Sequence, residues 1–297
     1  MKLLSFDIGG TFIKYAMVDA AGELYDKGKI PTPKNSRAEL VEAVGGIFDR
    51  FAPDAVTVSM PGIIDTERGY VRIGGILEYN NDCFLRSELT ERCKGVRVEL
   101  FNDAKCAAQA EASRGALRDV KDGLAIVIGS MVGSGIVLDH RVRHGMHFAA
   151  GEVAYLVTDR ASAPGYPTVW GNRCSALQLC RLYAAKTGLD GKSVTGETVF
   201  DALEAGDADA DAVLRDYTRE LAVQLFNLQT TLDVERIAIG GGISARAELM
   251  EYLQKNLDEL YAASPFFVPR AELVRCRFQN DANLIGAAEC FKMKNAE

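Results

Sequence analysis

The sequence holds no apolar run long enough to cross a membrane and shows no export signal. Its start, MKLLSFDIGG, has a single Lys and a short apolar run, but Asp7 interrupts that run, so the segment reads as a strand. Basic charge is not in excess: 34 Lys and Arg face 41 Asp and Glu, a formal net charge of −7. A nucleic-acid partner is disfavoured, because affinity for a phosphate backbone comes mostly from Lys and Arg. No CxxC pair occurs, and the seven cysteines (Cys83, Cys93, Cys106, Cys174, Cys180, Cys276 and Cys290) are odd in number. That usage fits reduced thiols in cytoplasm better than a disulfide framework. The usual nucleotide fingerprints are missing too. There is no GxxxxGK[ST] loop leading into a helix, and no GxGxxG follows the first strand. Low-complexity tracts and long linkers are likewise absent.

What remains is 297 residues, 48% hydrophobic and 25% charged, a length suited to two domains sharing a cleft. Two strand-turn-strand units lie about half a chain apart. LLSFDI meets a Gly turn and IKYAMVD returns, and LAIVIG meets another and GSGIVLD returns. That echo suggests a duplicated architecture. Between and after them, strands alternate with helices. NSRAELVEAVGGIFDRF carries a helical apolar stripe capped by Ser36, weakened by Gly45 and Gly46. AVTVSM is a short buried strand ended by Pro61-Gly62, VRVELFN is another, and a helix begins at or near Asp103. Residues 209–232 give the longest helical pattern. VERIAIGGGIS then reads as strand and Gly turn before a helix, ELVRCRF as a strand and DANLIGAAECFKM as a closing helix. The class is α/β.

Three glycine turns follow strands: DIGGT (Asp7, Gly9, Gly10, Thr11), GSMVGSG (with Gly129, Ser130 and Gly133) and Gly240-Gly241-Gly242. Glycine lets backbone N–H groups approach an anion, but each turn alone is equally an ordinary hairpin or packing turn. The first is less bland. A carboxylate such as Asp7 can hold hydrated Mg²⁺, while a hydroxyl and free amides can take phosphate oxygens. Lys14 is a candidate for neutralising phosphate, beside its plainer reading as a solvated strand lysine.

Taken together these segments resemble the ROK family of sugar kinases, within the actin-like ATPase superfamily. FDIGGTFIKYAMVD matches that family's first phosphate motif, IVIGSMVGSGIVLD resembles its second, and IAIGGGIS its adenosine motif. FNDAKCAAQAEA looks like its Asn-Asp catalytic segment and GEVAYL like its Gly-Glu sugar segment. The resemblance implies a duplicated actin-like (ribonuclease H-like) ATPase fold of two lobes with a central cleft. Residues 1–117, joined by the helix 282–297, would form the sugar and phosphate side, and residues 118–281 the nucleotide side. It implies ATP and Mg²⁺ as cofactors, a small-molecule sugar as partner and a homodimer. Asp103 would be the general base, although by position alone it is a helix N-terminal carboxylate. Asn102, Gly62 and Glu152 would meet the sugar, and Gly74-Gly75 could add backbone approach. Asp7 would hold Mg²⁺ through water.

The sequence departs from the family at several positions. Where many members have a zinc-binding His, this chain has Tyr155, and the cysteine cluster that follows in them is absent. Cys174 and Cys180 alone cannot close a four-ligand site, so no zinc is expected. Tyr155 would offer its phenol to the sugar. This zinc-free pattern resembles the β-glucoside kinase branch. His140, His144 and His147 read as solvated hairpin residues. Met131 and Ser134 stand where the second phosphate turn usually has glycine. Met131 would narrow the approach of the γ-phosphate, and the alternative to a kinase is a catalytically weak, sugar-responsive regulatory protein. No helix-turn-helix segment precedes DIGGT, which disfavours DNA binding.

Overall fold

The computed structural model describes residues 2–159 and 163–296. The chain enters on β1 (Leu3–Ile8), turns into β2 (Phe12–Val18) and continues into β3 (Leu24–Pro31), each antiparallel to the last. Helix α1 (Arg37–Phe51) returns it to β4 (Ala55–Met60), parallel to β1. The small hairpin β5 (Ile63–Asp65) and β6 (Tyr70–Ile73) and helix α2 (Leu85–Arg92) lead to β7 (Arg97–Asn102), parallel to β4. The first sheet therefore has the order β3-β2-β1-β4-β7.

Helix α3 (Asp103–Arg114) starts where β7 ends and carries the chain to the second sheet. That sheet opens with the antiparallel hairpin β8 (Gly123–Ile128) and β9 (Val132–Leu138), extended by β10 (Arg141–Val142). Helices α4 (Trp170–Arg173), α5 (Ala176–Thr187), α6 (Gly196–Glu204) and α7 (Ala208–Leu232) follow. Then come β11 (Arg236–Gly240), α8 (Ala247–Ala263), β12 (Glu272–Arg275) and α9 (Ala282–Ala296). The order is β10-β9-β8-β11-β12, with β11 parallel to both β8 and β12. Both sheets thus place an antiparallel hairpin on one side and parallel strands on the other, the duplication expected from the sequence. No helix among the described residues is long and apolar enough to cross a membrane.

Local chemistry explains most boundaries. Ser36 caps α1 by accepting the Glu39 amide, and Ala52 ends it in the left-handed region at φ 44°. The helix runs unbroken through Gly45 and Gly46. A Cβ at Gly45 would lie 2.3 Å from the Arg92 guanidinium, which crosses there to reach Glu42 and Asp49. The third glycine turn departs from its sequence reading. It leads first into a 3-10 turn, Gly242–Ala245, and only then into α8.

Each sheet has its own apolar core, and α3 and α9 lie where the two halves meet. Buried hydroxyls fasten α9 to the first sheet: Ser5 Oγ donates to the Leu284 carbonyl at 2.8 Å and Thr57 Oγ1 to the Ala287 carbonyl at 2.9 Å. At the far end of α3, the buried Glu111 carboxylate accepts from the amides of Arg277, Phe278 and Ala116 at 2.8, 3.0 and 2.7 Å. The two helices cross at Gly286, where an added Cβ would stand 1.7 Å from the Cys106 carbonyl oxygen. Neither helix backbone can yield there without losing its anchors. Gly286→Ala should therefore cost roughly 2 kcal/mol or more. A thermal melt should show a midpoint several degrees below that of the native chain, and an unchanged midpoint would refute the tight crossing.

Candidate active site

Strand register decides which side chains meet. Asp7 pairs with Ser59, Ser59 with Phe101, and Met60 with Asn102, so the carboxyl ends of β1, β4 and β7 share one edge. In parallel sheets that edge is where ligands bind. It brings Asp7 and Asp103 into the same crevice, although 95 intervening residues separate them in the chain.

Asp7 is 7% exposed. Burial pushes its carboxyl up, while Asn283 and Lys14 oppose that rise. Asn283 Nδ2 donates to Oδ1 at 2.9 Å, and Lys14 Nζ stands 3.5 Å from Oδ2. Lys14 lies directly across the β1–β2 pairing from Asp7, so it is an ion-pair partner rather than a freely solvated strand lysine. Asp7 offers hard carboxylate oxygens, and this donor chemistry fits Mg²⁺ held through water.

Asp103 opens α3, but the capping is done by Asn102, whose Oδ1 accepts the Lys105 amide at 3.0 Å. Asn102 Nδ2 donates to the Gly62 carbonyl at 2.9 Å. Gly62 itself has φ 110°, and a Cβ there would collide with the Ile73 carbonyl at 1.8 Å, so this turn requires glycine. The Asp103 carboxylate accepts the Ala104 amide at 2.8 Å, and among the described residues no salt bridge reaches it. Burial pushes its carboxyl up to about 6, the Ala104 amide opposes this, and the charges of Asp7 and Glu152 reinforce it.

Glu152 approaches from the other half. It follows Gly151, whose carbonyl accepts Ser134 Oγ at 2.6 Å. Ser134 is therefore a strut for this segment. Burial raises the Glu152 carboxyl and Lys105 opposes. Lys105, on α3, donates to the Phe148 carbonyl at 2.8 Å and stands 3.5 Å from Glu152 Oε1. Tyr155 ends the short 3-10 turn Val153–Tyr155 and is 57% exposed. Partial burial and the Glu152 charge push its phenol up.

The glycine turns differ in what they leave open. In the first, the Gly9 amide is spent on the Phe12 carbonyl at 3.0 Å, and the Gly9 carbonyl accepts Thr32 Oγ1 at 2.7 Å. The Gly10 and Thr11 amides have no protein acceptor among the described residues, and Lys34 Nζ donates to the Gly10 carbonyl. In the second, Gly129 is likewise spent, its amide on Met131 and its carbonyl on the Ala176 amide, while Ser130 is exposed. Gly133 sits in the ladder opposite Val127, where a Cβ would meet the Ala104 Cβ of α3 at 3.0 Å. In the third, Gly241 has φ 97° and a Cβ would lie 2.1 Å from the Ile128 carbonyl oxygen. Gly240 abuts Cys276, whereas Gly242 faces open space.

Met131 stands in the turn between β8 and β9, where its carbonyl accepts the Gly129 amide at 3.0 Å, and its methyl lies against Gly171, where a Cβ would meet it at 2.9 Å. One expectation is corrected: His144 is not a solvated hairpin residue. It is half-buried, its ring centroid 6.3 Å from that of Phe148. Burial, with the charges of Lys105 and Lys294, pushes its imidazole down to about 4. His140 and His147 are exposed. Cys174 and Cys180 are both buried in the second core, and among the described residues no group of three His, Cys, Asp or Glu is placed to hold a metal.

Sequence reasoning missed Asn283 and Lys105. Asn283 carries no local signal, since only the return of α9 brings it to Asp7. Lys105 had one: it sits in a run of small apolar residues that marks a buried helix face. Asn283→Ala would leave the buried Asp7 with Lys14 alone. The variant should lose about 1–2 kcal/mol of stability at neutral pH. Because the Asp7 carboxyl then rises further, the deficit relative to native chain should shrink as pH falls and the carboxylate protonates. Denaturant melts at two pH values would read this, and a pH-independent deficit would contradict it.

The comparisons agree in scope. The description of the ROK family matches residues 3–294. A beta-glucoside kinase from Klebsiella pneumoniae is 29% identical over 293 residues, covering 98% of this chain and 96% of that one. The structure of a ROK hexokinase from Thermus thermophilus superposes with a TM-score of 0.83 at 26% identity, covering 99% of this chain and all of that one (100%). A ROK family glucokinase from Streptomyces griseus, solved in complex with glucose and AMPPNP, shares the fold at TM-score 0.83 and 23% identity, over 98% and 99% of the two chains. A correspondence that runs from the first strand into the last helix admits one conclusion: this chain belongs to the ROK family.

Proposed function

We propose that this sugar kinase transfers the terminal phosphoryl group of ATP to the 6-hydroxyl of glucose, a β-glucoside or an N-acetylhexosamine, with Asp103 as the general base. The observation that carries the reading is electrostatic. Of the three carboxylates that meet in the crevice, Asp7 and Glu152 each have a lysine within salt-bridge distance, and among the described residues Asp103 has none. A carboxyl pushed up to about 6 by burial is ionised at neutral pH yet basic enough to accept a proton from an alcohol as its oxygen attacks. The names of the Klebsiella and Thermus proteins support the acceptor class.

The chain's own groups supply positioning and charge, which is most of what phosphoryl transfer requires. Asn102 spends one amide hydrogen on Gly62 and its oxygen on α3, leaving its second amide hydrogen for a sugar hydroxyl. Glu152 accepts hydroxyls from the opposite side, with the Tyr155 phenol beside it. The free amides of Gly10 and Thr11 and the exposed Ser130 are suited to phosphate oxygens, and the open side of Gly242 to the nucleoside end. Mg²⁺ held by Asp7 through water would supply charge neutralisation to the phosphates. Lys14 favours the ionised form of Asp7 against the effect of burial. The alternative of a catalytically weak regulatory protein draws on Met131 and Tyr155, and the retention of Asp7, Asn102, Asp103 and Glu152 counts against it.

Asp103→Asn should cut kcat by about 10³ while the sugar still binds, measured by coupled assay and calorimetry over a panel of hexoses and glucosides. Near-native turnover would reject the base. The base must be ionised, so kcat/KM should decline as pH falls through about 6. An acid limb near 4, the value of a solvated carboxylate, would show that burial does not tune this group.

A further inference from the structure

Lys105 lies on α3 two residues beyond Asp103 and is only 1% exposed. A buried ammonium group is costly unless its charge is answered, and a methionine or leucine would fill the same space without that penalty. Among the described residues its side-chain hydrogen bond and its ion pair both go to one segment. Lys105 Nζ donates to the Phe148 carbonyl at 2.8 Å and stands 3.5 Å from Glu152 Oε1, both lying between β10 and the 3-10 turn at Val153–Tyr155. Other bonds on this segment act within it or tie it to β9: Phe148 N to the Gly145 carbonyl at 3.2 Å, Ala150 N to the His144 carbonyl at 3.1 Å, and Ser134 Oγ to the Gly151 carbonyl at 2.6 Å. Lys105 instead ties it to the helix that carries the base.

We propose that Lys105 is a positioning residue for the acceptor sugar. Its ammonium group orients the Glu152 carboxylate and fixes the segment 144–152 to α3, so that a sugar held by Glu152 meets Asp103 at a set distance. The inference rests on the sugar-kinase reading above and adds the residue through which Glu152 acts. It also separates the substrates. Its bond to Phe148 and its ion pair with Glu152 both lie on the acceptor side, so the loss of its charge should be felt by the sugar and not by the nucleotide.

Steady-state kinetics with glucose and methyl β-glucoside, varied against MgATP, test this on the native chain, Lys105→Met, Glu152→Gln and the double variant. Lys105→Met should raise the acceptor KM about tenfold or more and leave the MgATP KM within about twofold. The double variant should be no worse for the acceptor than Glu152→Gln alone, because both changes break the same link. An unchanged acceptor KM in Lys105→Met, or a loss confined to kcat and melting temperature, would overturn the proposal. So would acceptor losses that multiply in the double variant. If Lys105→Met does not fold, the double variant, which removes both buried charges, carries the comparison with Glu152→Gln by itself: equal acceptor KM supports the link and a further rise refutes it. A native chain that phosphorylates no sugar brings down the kinase reading, and this inference with it.

Discussion

Three carboxylates drawn into one poorly solvated crevice, two of them paired with a lysine among the described residues, set the terms for everything else in this site. Asp7 is held by Lys14 and Asn283, Glu152 by Lys105, and Asp103 by a single backbone amide. Like charges repel in such a region, and Asp7 and Glu152 both raise the proton affinity of Asp103. The fold therefore cannot ionise all three groups without choosing where to place its lysines. Burial raises all three carboxyls; a lysine opposes that rise at Asp7 and at Glu152, whereas at Asp103 the charges of the other two add to it. Position in the sheet brings Asp103 to the crevice, and burial first, then the charges of Asp7 and Glu152, raises its affinity for a proton.

The supporting architecture serves to hold that uneven arrangement still. Asp7 and Asp103 come from neighbouring parallel strands of the first sheet, whereas Glu152 comes from beyond the second. Helices α3 and α9 join the two. Helix α9 is fixed to the first sheet by Ser5 and Thr57 and delivers Asn283 to Asp7. Its last turn is also held, because Lys294 reaches the buried Glu99 at 2.9 Å. Burial would raise the Glu99 carboxyl, but Lys294, Arg97 and Arg86 outweigh that effect and hold it below its ordinary range. Helix α3 is clamped at its far end by Glu111 and packs on β9, where Gly133 and Gly135 leave room for Ala104 and Ala108. Several glycines that look like ligand contacts in the sequence are thus spent on backbone and helix packing.

The sequence by itself determined the alternation of strands and helices, the two glycine hairpins and the helix beginning at Asp103, because these follow from local periodicity and from chemistry confined to a few consecutive residues. The order of five short motifs was enough to read the family and to single out Asp7, Asn102, Asp103 and Glu152. Tertiary structure alone decided what those side chains face. Asn283, 276 positions from Asp7, reaches it only because α9 folds back onto β1. His144 was misjudged because the direction of a side chain depends on what packs against it, here Phe148. The tuning of Asp103 was equally out of reach, since a carboxyl's proton affinity depends on burial and on distant charges, and neither is written in its sequence neighbours.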